Sequence, residues 1–207
     1  MEIILCLLLG YLLGCLNPAA LIGKMKSIDL RQVGTKNLGA SNVLLCIGKM
    51  SGFFVMAVDI AKGYFSVKIA RALFPLLSVA GLLAGIGAVL GHVFPFYLSF
   101  RGGKGLATFA GLVLAWDPWI FLILLLLSIT AVLIVNYAYA MPMTGGFLFP
   151  VFAWLRSRSI TVFLLSAISG ALIVVKHWGN IARARSGSEK PIRQYLKEDF
   201  FKKKQEV

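Results

Sequence analysis

The chain has 207 residues, 59% of them apolar and only 14% charged. A soluble domain carries roughly 25% charged residues, so the shortfall excludes one water-excluded globule. Several runs of about 18–20 apolar residues point instead to a polytopic membrane protein. The net charge of +13 lies in the loops between apolar runs and in the tail. That placement argues against nucleic acid as a partner. It fits attraction to anionic membrane lipids and orientation by the positive-inside rule, with an anionic substrate accounting for part of the remainder.

The first apolar run, residues 3–23, carries Asn17-Pro18 near its end, where a kink or break is expected. Leu12-Leu13-Gly14-Cys15 resembles a lipoprotein cleavage box, but the preceding segment has Glu2 and no Lys or Arg. The run therefore reads as a retained span. Residues 24–51 form a polar loop with Lys24, Lys26, Arg31, Lys36 and Lys49 against Asp29. This excess assigns the loop to the cytoplasm and the N-terminus to the outside.

The second span covers residues 52–74 and holds Asp59 and Lys62 on one helical face, with Lys68 and Arg71 near its far end. The third, 76–94, is rich in glycine, which lets helices approach closely. A short fourth span, 106–116, turns at Asp117-Pro118 into a fifth, 119–135. Residues 136–146 read as a break, 147–155 as a short sixth span, and 160–175 as a seventh, followed by a basic tail from Lys176. Cys6, Cys15 and Cys46 have no CxxC spacing and read as packing residues.

The expected fold is all-α: a polytopic membrane bundle of about seven transmembrane helices, some short or broken, with the N-terminus outside and the C-terminus cytoplasmic. Residues 1–180 form one integral membrane domain and 181–207 a basic cytoplasmic tail. Arg156 and Arg158 fall on the outside in this topology, against the charge rule.

Three polar clusters then share the cytoplasmic face. Residues 34–42 offer small, hydroxyl and amide groups, suited either to a phosphate or to a turn followed by a helix cap at Ser41. Residues 92–108 contain Arg101-Gly102-Gly103-Lys104-Gly105, readable as an anion cradle or as a membrane turn with cationic anchors. Residues 177–189 place His177, Asn180 and Arg183 near one helical face, suited either to a phosphorylated ligand and a hydroxyl nucleophile or to a basic helix resting on headgroups. His92 reads as a structural hydrogen-bonder, and Asp59–Lys62 as a pair bracing the bundle.

Scattered acids disfavour a two-metal phosphotransferase. Neither histidine begins a His-x4-Asp pattern, since Tyr97 and Ala182 stand at the fifth positions. No Gly-x-Ser-x-Gly elbow occurs. The chemistry expected is positioning and positive electrostatics, with no metal, no cofactor and no covalent intermediate.

Taken together, the motifs resemble the bacterial acyl-phosphate:glycerol-3-phosphate acyltransferase family. Residues 34–42 are similar to G-S-G-N-x-G-A-T-N, and Asp59-x-x-Lys62-Gly63 to D-x-x-K-G. Residues 91–108 match G-H-x-F-P-x-(six residues)-G-G-K-G-x-A-T, and 177–189 resemble H-R-x-N-I-x-R-L-x-x-G-x-E. The resemblance spans nearly the whole chain. It implies transfer of a fatty acyl group from acyl phosphate to the 1-hydroxyl of glycerol 3-phosphate at the cytoplasmic face of the cell (inner) membrane, giving lysophosphatidate and phosphate. It implies Lys104, His177 and Asn180 as catalytic residues. It implies Thr35, Asn37, Gly39, Ser41, Asn42, Gly102, Gly103, Gly105, Arg183 and Glu189 as substrate-binding residues.

Departures are equally specific. Thr35 replaces Ser, Lys36 replaces Gly, Leu45 stands where the family often has a phosphate-binding Arg, and Trp178 replaces Arg. An R-Y-x-S-L-x-S pattern keeps only Tyr137, with Tyr139 and Pro142 in place of its serines. The alternative is a non-catalytic membrane binder or transporter of a phosphorylated metabolite or lipid.

Overall fold

The computed structural model describes residues 1–194. Among these, nine α-helices and one 3-10 turn follow in order: α1 (Glu2–Cys15), α2 (Pro18–Met25), α3 (Ala40–Cys46), α4 (Lys49–Leu73), α5 (Ala80–Val93), the 3-10 turn Phe96–Leu98, α6 (Leu106–Trp116), α7 (Pro118–Val135), α8 (Ala140–Ser157) and α9 (Ile160–Arg185). Four stretches are long and apolar enough to cross a membrane: Glu2–Met25, Ala80–Leu98, Pro118–Val135 and Ile160–Arg185. Helix α4 has 25 residues, about 37 Å at 1.5 Å per residue, but carries Asp59, Lys62, Lys68 and Arg71.

Helix α5 is the axis of the bundle, with nearly every residue buried. Lipid tails are as apolar as leucine, so helices gain little by hiding apolar surface from lipid and associate through close packing. Glycine supplies that closeness. A Cβ at Gly87 or Gly91 would strike the Leu7 or Tyr11 carbonyl of α1, and one at Gly10 or Gly14 would strike α5 backbone in return. Helices α4 and α6 meet in the same manner through Gly63 and Gly111. Phe149, Leu112 and Ile173 fill the space between α5, α6, α8 and α9.

The break at Asn17-Pro18 is present. The Asn17 side chain accepts from the Ala20 N–H at 2.8 Å, and Pro18 takes the first helical position of α2. Asp117 caps α7 by accepting from the Trp119 and Ile120 N–H groups. At that same end, Arg156 pairs with Asp117 at 3.1 Å. Arg71 donates to the Ala115 and Trp116 carbonyls, covering the C-terminus of α6. The three cysteines are free, and Cys6 packs among Ala70, Ala80 and Ala84.

Three expected boundaries change. The break at 136–146 shrinks to the turn 136–139, in which Asn136 takes a left-handed conformation (φ 64°) and after which α8 begins at Ala140. Pro142 lies in the first turn of α8, where a missing N–H costs no helical bond. The expected nine-residue sixth span is therefore an 18-residue helix. Helix α9 runs on to Arg185, past the expected end at Val175, with Arg183 and Arg185 favourably placed at the negative end of its dipole. The cap of α3 is Gly39, with Ser41 exposed inside the helix. Residues 195–207, about half of the expected 181–207 tail, lie outside the described residues.

Candidate active site

The segment after α5 folds back on it. The Gly102 N–H donates to the Val93 carbonyl and the Gly103 N–H to the His92 carbonyl, both at 3.1 Å. A Cβ at Gly103 would collide with the His92 imidazole and lie 2.6 Å from the Leu38 carbonyl. Glycine is therefore required at 103 for close approach, and its N–H is committed to α5. This corrects the expectation that both glycines present free N–H groups to an anion. Other donors here include the ammonium of Lys104 and the first-turn N–H groups of α6, which helix geometry leaves without intrahelical partners. Gly105 caps that helix at φ 85°, a left-handed position that suits glycine.

Lys104 then points to α9, where its ammonium donates a hydrogen bond to Asn180 Oδ1. Asn180 Nδ2 donates to Glu189 Oε1 at 3.4 Å, and Glu189 Oε2 pairs with Arg183 at 3.4 Å. Glu189 reaches back because the chain after α9 turns sharply, with the Ser188 and Glu189 N–H groups donating to the Arg183 carbonyl. Burial pushes the Lys104 pKa below its ordinary value; Arg183 and Lys176 add to the fall and Glu189 opposes it. A bound anion would favour the charged form again.

One helical turn before Asn180, His177 is buried and its Nδ1 lies 2.8 Å from the Ile173 carbonyl. A carbonyl can only accept, so Nδ1 carries the proton and Nε2 keeps a lone pair. The side chains of His177 and Asn180 thus offer a proton acceptor beside an amide bound to a cation.

The 34–42 loop meets the 92–108 segment where the Leu38 carbonyl lies against Gly103. Asn42 differs from expectation. It is fully buried, its Oδ1 accepts from the Thr35 N–H at 2.7 Å, and its Nδ2 donates to the Leu30 and Val33 carbonyls. Its amide is used to hold the loop and is not presented outward. Asn37 covers Gly39, while Thr35 and Ser41 are exposed. Lys36 adopts φ 56°, which explains why the resembling motif carries glycine there. Asp29, with its neighbour Arg31 donating to it, is held below its usual carboxylate pKa in the same loop.

In sequence, His92 stands well apart from Asp59 and Lys62. The structure packs all three together: Lys62 Nζ lies 2.7 Å from Asp59 Oδ1 and 2.8 Å from His92 Nδ1. Nothing in the spacing of residues 59, 62 and 92 reveals this, since it depends on how α4 crosses α5.

The fold and site define an integral membrane helix bundle with a lysine, a histidine and an amide gathered at one end. The family profile described as Glycerol-3-phosphate acyltransferase matches residues 4–187. The chain is 37% identical to a glycerol-3-phosphate acyltransferase of Coxiella burnetii over 93% of its length and 100% of that relative. It is 34% identical to one of Thermoanaerobacter pseudethanolicus, covering 94% and 98%. A crystal structure of PlsY (YgiH), an integral membrane glycerol 3-phosphate acyltransferase in its glycerol 3-phosphate form, superposes with a TM-score of 0.84. Identity there is 32%, covering 92% of this chain and 96% of the other. The chain belongs to the glycerol-3-phosphate acyltransferase family and is a membrane-integral acyltransferase.

Proposed function

We propose that the protein transfers a fatty acyl group from acyl phosphate to the 1-hydroxyl of glycerol 3-phosphate, giving 1-acyl-glycerol 3-phosphate and inorganic phosphate, an early step of phospholipid synthesis. The observation that carries the reading is the joining of Lys104 to Asn180, beside the free Nε2 of His177. Support for the acceptor and product comes from the solved relative, described in a glycerol 3-phosphate form and a lysophosphatidic acid form.

In this reading the acceptor hydroxyl attacks the acyl carbonyl carbon. The carbonyl-to-phosphate oxygen bond breaks, and phosphate leaves with the bonding pair. Lys104 and the start of α6 hold a phosphate, and the ammonium balances the charge of the departing one. His177 Nε2 takes the hydroxyl proton, with the leaving phosphate as the other possible acceptor. Asn180 keeps Lys104 and His177 in register with the acceptor, and Arg183 contributes charge. Thr35, Asn37 and Ser41 contact phosphate or glycerol hydroxyls, while Glu189, Gly103 and Asn42 hold the site's shape. Acyl phosphate is already activated, so no protein nucleophile is required.

The proposed setting is the cell (inner) membrane, crossed about seven times, with the N-terminus outside and the site facing the cytoplasm. Residues 1–180 form the membrane-embedded catalytic part in this scheme, and the basic 181–207 segment adds Arg183 and Glu189 to the site. The test is purified protein with labelled glycerol 3-phosphate and palmitoyl phosphate, with acyl-CoA in parallel. Phosphate release matched to lysophosphatidate supports the reading. Binding of glycerol 3-phosphate without turnover would support a non-catalytic binder or transporter.

A further inference from the structure

Three further polar side chains are buried: Asp59 and Lys62 of α4 and His92 of α5. Their placement is specific. The Lys62 ammonium has an ion-pair partner and two hydrogen-bond partners around it. These are Asp59 Oδ1 at 2.7 Å, His92 Nδ1 at 2.8 Å and the Leu16 carbonyl at 2.7 Å. The Leu16 carbonyl is at the break between α1 and α2. One side chain thus ties α4, α5 and that break together. His92 Nδ1 also lies 3.2 Å from Asp59 Oδ1, so the three polar groups meet at one point, and the Nε2 edge of the ring packs on Gly103. The His92 carbonyl also receives the Gly103 N–H. Residue 103 immediately precedes Lys104.

We propose that Asp59, Lys62 and His92 are positioning residues for Lys104: the Lys62 ammonium orients the His92 ring, and His92 seats Gly103 so that the next residue reaches Asn180. None of the three touches substrate. A pair that only braced the bundle would need Asp59 and Lys62 alone. Lys62 also engages His92, and His92 contacts the loop by ring and by backbone.

The inference deepens the proposed function but has a readout independent of turnover. Full-length protein in detergent is compared by hydrogen–deuterium exchange and acyl-transfer kinetics as wild type, His92→Leu and His92→Asn. Asparagine puts an acceptor near the Nδ1 position, and leucine does not. In His92→Leu, exchange in the 100–108 segment should accelerate at least tenfold while α7 and α8 exchange as in wild type. kcat/KM should fall about tenfold or more, as expected for a misplaced catalytic group, and His92→Asn should recover most of both. The double variant Asp59→Asn, Lys62→Met removes the buried charges together, and should loosen the same segment with the helices retained. Wild-type exchange at 100–108 in His92→Leu would overturn the proposal. So would equal behaviour of Leu and Asn, or acceleration spread evenly over all helices. If wild type itself shows no acyl transfer, the proposed function fails while the exchange comparison still decides this one.

Discussion

Lys104 donates to Asn180 across 76 positions of sequence, and that hydrogen bond connects the loop after α5 to the last helix. Both partners are part-buried, and because the acceptor is a neutral amide the hydrogen bond leaves the ammonium charge uncancelled. Replacement of Lys104 by Ala should abolish acyl transfer, with a loss of about 10²–10³ or more, as for removal of a single charge-stabilising donor. The bundle should stay folded, because the glycine contacts of α1–α5 and α4–α6 do not involve it. Phosphate release and size-exclusion behaviour in detergent check both halves. Near-normal turnover would remove the assignment.

His177 should matter through Nε2. His177→Ala should lower kcat by about 10²–10⁴, the range for a positioned acid–base group. His177→Gln should not restore it, because an amide accepts hydrogen bonds but is no useful base. Pre-steady-state release of phosphate distinguishes this from slower substrate binding. Full recovery in Gln would reassign His177 to orientation alone.

The lowered pKa of Lys104 gives two pH dependences of opposite sign. Anion binding needs the ammonium, so affinity for glycerol 3-phosphate should be present at lower pH and decline as pH rises through a midpoint below the ordinary 10.5. Folding disfavours the charged form, so the unfolded chain binds the proton more tightly. Between the two pKa values the contribution of Lys104 to stability therefore rises with pH. Arg183→Gln removes a like charge and should move the binding midpoint up, while Glu189→Gln should move it down. Calorimetric titration across alkaline pH tests the direction.

Lys36 occupies a left-handed backbone position, which costs an L-residue about 1–2 kcal/mol relative to the right-handed one. Lys36→Gly should raise the thermal midpoint in detergent relative to Lys36→Val, a β-branched residue ill-suited to φ above zero. The gap should correspond to about 1–2 kcal/mol. Activity of the Gly variant should match or exceed wild type. Equal midpoints would indicate that the loop relaxes.

Composition and periodicity were enough to reveal a helical membrane protein. The kink at Asn17-Pro18, the extent of α6 and the turn at Asp117-Pro118 followed from local rules, because caps, prolines and apolar runs act within a few residues. The order of polar motifs sufficed for the family. The 136–146 stretch misled, since Pro142, Gly145 and Gly146 look like breakers but fall where α8 tolerates them.

Which groups face a ligand was not a local matter. The amides of Gly102 and Gly103 turn out to be spent on α5, Asn42 on its own loop and Glu189 on Asn180. Each hydrogen-bond partner is set by where one segment crosses another. Sequence determined the inventory of cations, amides and glycines in this protein. Tertiary structure decided their assignment, because a buried polar group must find a partner in three dimensions, and only those left over can act on substrate.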